Sequence, residues 1–164
     1  MSPSHSPTPH TPDNTTPVLA RLLRAANLGA RALDALQPLA ALAARLYVAQ
    51  VFFLSGLTKL RDWDITLALF ADEYHVPLLP PALAAALGTA GELALPVLLV
   101  LGLGGRFAAL GLTVVNVVAV ISLSEIAPAA LQQHLLWGTL LTALAIYGPG
   151  AWSVDRWLAP KLMR

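Results

Sequence analysis

The sequence predicts an all-α integral membrane protein, a four-helix up-down bundle preceded by an amphipathic interfacial helix. Three observations carry that expectation. Hydrophobic residues make up 57% of the 164 residues and charged residues 12%, against about 45–50% and about 25% in an average soluble domain. That leaves too little polar surface to wrap a small water-soluble core. Four apolar segments, at about 39–57, 82–103, 107–123 and 131–147, fall within or close to the roughly 17–25 residues that cross a hydrocarbon core. The later connections are short, which makes neighbouring segments antiparallel.

Residues 1–17, "MSPSHSPTPHTPDNTTP", hold almost no apolar side chain to offset chain entropy, so they read as a disordered Pro/Ser/Thr-rich tail. They lack the basic and apolar regions of a cleavable signal peptide. His5 and His10 belong to this solvated tail. Residues 18–37 form an amphipathic pattern. Arg21, Arg24, Asn27, Arg31 and Asp34 recur at spacings of three and four, and Leu19, Leu22, Leu23, Leu33 and Leu36 take the other side. A helix of this kind beside a membrane segment suits the headgroup layer at the cytoplasmic face. Pro38 marks the expected break before the first span.

The bundle itself is expected over residues 38–147. A polar, aromatic loop, "KLRDWDITLALFADEYHVPLLPP", links the first two spans. A Gly-rich hairpin around Gly102, Gly104, Gly105 and Arg106 joins the second and third, and a few residues around Glu125 and Pro128 join the last two. Residues 148–164 read as a cytoplasmic C-terminal tail. Orientation follows lysine and arginine. One side holds Arg21, Arg24, Arg31, Arg106, Arg156, Lys161 and Arg164, the other only Lys59 and Arg61. Both termini are therefore expected in the cytoplasm.

Composition also excludes several chemistries. Ten basic and nine acidic residues leave a net charge of +1, which gives no basic field for nucleic acid. With no cysteine, the chain has no disulfide, thiolate metal site or thiol nucleophile of its own. The stretch "GLGGRFAALG" follows an apolar helix instead of a strand, so it is not a dinucleotide loop.

The charged groups inside the spans are the candidate site. An ionisable side chain in hydrocarbon costs about 2.5–3.5 kcal/mol on insertion scales and should face the bundle interior with a partner. At about 1.5 Å per residue, Arg45 lies roughly 9 Å, Glu92 roughly 16 Å and Asn116 roughly 14 Å from the cytoplasmic ends of their spans. Glu92 and Asn116 are then nearly level, and Arg45 reaches towards them. This interior trio reads either as a proton-carrying or quinone-binding site or as a clamp that fixes helix register. Lys59 falls at the outer rim, too far for a direct pair with Glu92. Pro96 removes the backbone donor for the Glu92 carbonyl.

A second polar group is expected at the outer face, from Lys59, Trp63, Asp64, Glu73, His75, Glu125, His134 and Trp137. His134 and Trp137 are spaced to share a helical face. Histidine and carboxylate suit copper or zinc, and the aromatics suit a quinone slot. Ordinary interfacial aromatics and solvated loop charges account for the same residues. No metal site is assigned. Haem is disfavoured because His134 is the only histidine in a span and paired axial ligands are usual.

The order Arg45, Phe52–Phe53, Gly56, Lys59, then Glu92, then "LGLGGRF" with Arg106 resembles the DoxX family of small four-helix membrane proteins. The resemblance covers residues 40–147. It implies an inner-membrane protein of a bacterium, an accessory subunit linked to quinone chemistry or to oxidative or metal stress, with quinone as the implied cofactor. The alternatives are a non-enzymatic scaffold that recruits protein partners and a small transporter for a metal or polar solute. The partners expected are the lipid bilayer, a membrane or peripheral protein, and a further copy of the chain.

Overall fold

The computed structural model describes residues 15–162, and the expected tail over residues 1–14 lies outside them. Six helices follow in order: α1 (Thr15–Arg61), α2 (Trp63–Asp72), α3 (Pro81–Leu101), α4 (Gly105–Ile121), α5 (Pro128–Tyr147) and α6 (Val154–Leu162). The chain divides into two units between Leu36 and Gln37, so the first part of α1 belongs to one and its remainder to the other. In the first unit, Leu19, Leu22, Leu23, Leu28, Leu33 and Leu36 are all exposed.

Three expected boundaries are corrected. The helix starts at Thr15, inside the stretch assigned to the tail, and runs through Pro38. Proline forfeits one backbone bond there, and good helix formers, alanines and leucines, flank it on both sides. The long loop after Lys59 contains α2. Asp62 is its N-cap, its carboxylate accepting from Ile65 N at 3.0 Å, a local signal that the aromatic and acidic residues of that loop obscured. The C-terminal tail contains α6, which opens after Ser153.

The second unit is built on antiparallel neighbours. Ser55 of α1 meets Glu92 of α3 while Arg45 meets Val100. Leu95 of α3 packs on Gly111 of α4, and Gly91 on Val115. Asn116 of α4 meets His134 of α5, and Gly105 packs against Pro149 just beyond it. Val48, Phe52, Leu99, Leu112, Leu141 and Leu144 form the main core, and Phe70 of α2 packs on Ala84 and Ala85 of α3.

Three helices, Val18–Arg61, Pro81–Leu101 and Pro128–Tyr147, are long and apolar enough to cross a membrane by length and composition, and Gly105–Ile121 is a shorter apolar helix. Only 11% of the most apolar stretch of Pro128–Tyr147 is buried inside the protein. So much outward-facing apolar surface suits lipid as its solvent.

Candidate functional site

Gly56 determines how closely α1 approaches α3. A Cβ placed there would lie 2.9 Å from Leu93 Cγ, closer than real Cβ atoms come, and 3.1 Å from Glu92 Cβ, a tight contact. The bare backbone lets the helices close, and residues flanking Gly56 then meet Glu92. Lys59 Nζ donates to Glu92 Oε2 at 2.7 Å and to Oε1 at 2.9 Å. Ser55, one turn earlier, accepts from Lys59 Nζ at 2.9 Å and donates to Glu92 Oε1 at 3.3 Å. Glu92 is 7% exposed. This is a short, charge-assisted arrangement in which each polar group has a partner.

That pairing overturns the depth argument, which kept Lys59 at the rim. The lysine stem folds along its own helix past Ser55, and α2 closes over the end of α1, with Thr66 Oγ1 donating to Lys59 O at 2.9 Å. A long flexible stem spans more than one helical turn, so Cα depth alone misjudges its reach.

Arg45 is corrected too. It is fully buried but turns away from Glu92. Its Nη2 donates to Trp152 O at 2.6 Å, and Nη1 donates to Val100 O at 3.4 Å. Gly102, in the left-handed region at φ 66°, leaves room for it, because a Cβ there would sit 2.5 Å from Nη1. Asp155 of α6 completes this end. Its carboxylate accepts from Gly104 N at 2.7 Å and Gly105 N at 2.8 Å, capping α4. Arg45 therefore ties the α3–α4 hairpin to the segment before α6.

Asn116 joins neither. Its amide nitrogen donates to the His134 carbonyl at 2.9 Å. That carbonyl can only accept, so the amide oxygen must face His134 Nδ1, 2.9 Å away. Nδ1 consequently carries a proton and donates it, so in the neutral form of the ring Nε2 is the acceptor. Trp137 stands edge-on to His134 with ring centroids 4.9 Å apart, and edge-on to Phe52 at 6.0 Å. Among the described residues, its indole Nε1 is buried without a hydrogen-bond partner.

The Lys59–Glu92 pair, His134 and Trp137 all line one cavity of about 400 Å³. Its remaining wall is mostly apolar, including Phe52, Phe70 and Val115, with Tyr74 and Ser122 as further polar groups. The loop after α2 is stitched across it, with His75 N donating to Ser122 O at 2.8 Å and Tyr74 bridged to Leu123. Burial pushes the Tyr74 phenol above its usual range, and the negative charges of Glu73 and then Glu92 add to the shift.

The two expected clusters are thus rewired. Lys59, His134 and Trp137 come from the outer list, Glu92 from the interior one, and together they line the cavity. Trp63, Asp64, Glu73, His75 and Glu125 are exposed and do not line it. Among the described residues, no three His, Asp or Glu side chains are grouped to hold a metal ion. Ser55, Tyr74 and Ser122 were missed. The i, i+4 spacing of Ser55 and Lys59 was the readable signal for the first; the other two depend on a loop packing that no periodicity encodes.

The model of the DoxX family matches residues 40–125, more than half of the chain. The match takes in Arg45, Gly56, Lys59, Glu92 and Asn116 and ends before α5, which carries His134 and Trp137. No curated protein and no solved structure matches the chain.

Proposed function

The chain belongs to the DoxX family, and from that premise we propose that it is a membrane subunit whose cavity receives the headgroup of a quinone. The observation that carries this reading is a partly buried Lys59–Glu92 pair facing, across apolar walls, a histidine that in its neutral form offers a ring acceptor and an indole whose donor is unpaired among the described residues. An apolar slot of several hundred Å³ with a few convergent polar groups is the common form of a small-molecule site. Quinone carbonyls accept hydrogen bonds, and the Trp137 indole supplies a donor for one of them, while the Lys59 ammonium, its three donors held by Glu92 and Ser55, contributes positive charge. Quinol hydroxyls donate, and His134 Nε2 supplies an acceptor.

When bound, a quinone would take up two electrons and two protons on reduction to the quinol. The chain's own residues handle only the protons. His134 can take one at Nε2 while Nδ1 stays donated to Asn116. Glu92 holds the Lys59 ammonium in place and keeps its charge compensated in a low-dielectric wall. No electron-carrying cofactor motif is present in the sequence, so the role is that of an accessory subunit beside an electron-transferring partner. In this reading the apolar helices form an up-down bundle in a bacterial inner membrane with both termini in the cytoplasm, as the lysine and arginine distribution favours.

Native mass spectrometry from mild detergent tests the proposal. A quinone-sized mass kept by the wild type and lost in Glu92→Gln and His134→Leu supports it. A protein partner retained equally in all three, with no small ligand in any, replaces it with the scaffold reading.

A further inference from the structure

The apolar spans carry few outward polar side chains, and the exposed hydroxyls among them are satisfied within their own helix. Thr58 Oγ1 donates to Leu54 O at 3.0 Å and Thr139 Oγ1 to Leu135 O at 2.8 Å. Gln50 is different. It is exposed on α1 and, among the described residues, its amide makes no hydrogen bond. It stands roughly 17 Å from Arg61 at 1.5 Å per residue, near the middle of a hydrocarbon core of about 30 Å. Water is not available there, and an unpaired amide in lipid is costly.

Gln50 also lines a groove of about 410 Å³ between α1 and α3. Leu46, Phe53, Val97 and Leu101 form its apolar sides, with Ala49 and Pro96 at its floor, both buried. The small alanine permits a close approach by another helix. This groove lies apart from the quinone cavity: the two share no lining residue.

We propose that this face is a two-fold interface between two copies of the chain, in which Gln50 of one copy hydrogen-bonds Gln50 of the other. The choice of occupant rests on complementarity. A primary amide offers donors and an acceptor together, so two copies related by a two-fold axis can exchange a reciprocal pair of N–H···O bonds. An acyl chain fills the groove but leaves the amide unsatisfied. Interhelical amide bonds in membranes drive association of this kind.

The absence of cysteine from the chain makes the test direct. Leu46→Cys introduces a single thiol in the groove, one turn from an intact Gln50, and Val117→Cys introduces one at an exposed position on α4 outside both cavity and groove. Each full-length variant is oxidised mildly in its native membrane and weighed under denaturing conditions. A covalent species of twice the chain mass is expected from Leu46→Cys, at least tenfold above that from Val117→Cys. Gln50→Leu should lower the dimer fraction of the uncrosslinked protein several-fold, and Gln50→Asn should retain it. Equal yields at both positions overturn the proposal, as does a cross-linked product of any other mass or a Gln50→Leu protein that dimerises like the wild type.

Discussion

Lys59 Nζ and Glu92 Oε2 lie 2.7 Å apart on neighbouring helices, and Gly56 is the residue that lets those helices come close enough for the contact. The Gly-x-x-Lys spacing therefore has a physical meaning. Glycine closes α1 onto α3, and one turn later the lysine finds the carboxylate. Ser55 supports both partners.

Removing one member of this pair leaves the other charge buried alone. Lys59→Met and Glu92→Gln should each lower stability by about 3 kcal/mol, at the low end of the range for broken buried pairs. The double variant should recover most of that loss, since two neutral side chains leave no charge to solvate. Thermal unfolding of the detergent-solubilised single and double variants reads this out. Additive losses would show that the two groups do not depend on each other.

Gly56→Ala tests the close approach directly. The added methyl would lie 2.9 Å from Leu93 Cγ, and the helices must separate, at a cost of about 1–3 kcal/mol. Gly29→Ala is the control. Nothing lies within 4 Å of its added Cβ, so helix propensity alone acts and stability rises by about 0.5–1 kcal/mol. Opposite shifts in melting temperature are expected from these two substitutions.

Arg45→Met should free the segment around Trp152 and leave the cavity intact. Trp152 O and Val100 O lose their donor, while Lys59, Glu92 and His134 keep theirs. Hydrogen exchange is expected to quicken over residues 150–162 and to remain unchanged around Glu92. Faster exchange at both ends would mean that Arg45 holds the whole bundle, not one hairpin.

The Tyr74 phenol supplies a pH prediction. Burial first, then Glu73 and Glu92, raise its pKa in the folded protein. A raised acid holds its proton longer when folded than when unfolded, so its contribution is intact below the unfolded tyrosine value of about 10. It is lost as pH climbs through the folded value. Absorbance titration should show one of the three tyrosines ionising late, and Tyr74→Phe should remove that late step. Glu92→Gln should move it to lower pH.

The sequence by itself determined the class of the protein and the charged residues that needed partners. Low charge and four apolar segments dictate helices in lipid, because only closed backbone hydrogen bonding survives there. The cost of intramembrane charge singled out Arg45 and Glu92 and required each to find partners. Hydropathy also placed α3, α4 and α5 within a few residues of their ends.

Only the tertiary structure decided which partners those were. Glu92 took Lys59 instead of Arg45, Asn116 took His134, and Arg45 turned to Trp152 and Val100. Helix rise gives the height of a Cα. It does not give the rotation of one helix against another, the closeness that a single glycine permits, or the direction a flexible side chain takes. Those follow from packing, and packing is a property of the whole chain at once.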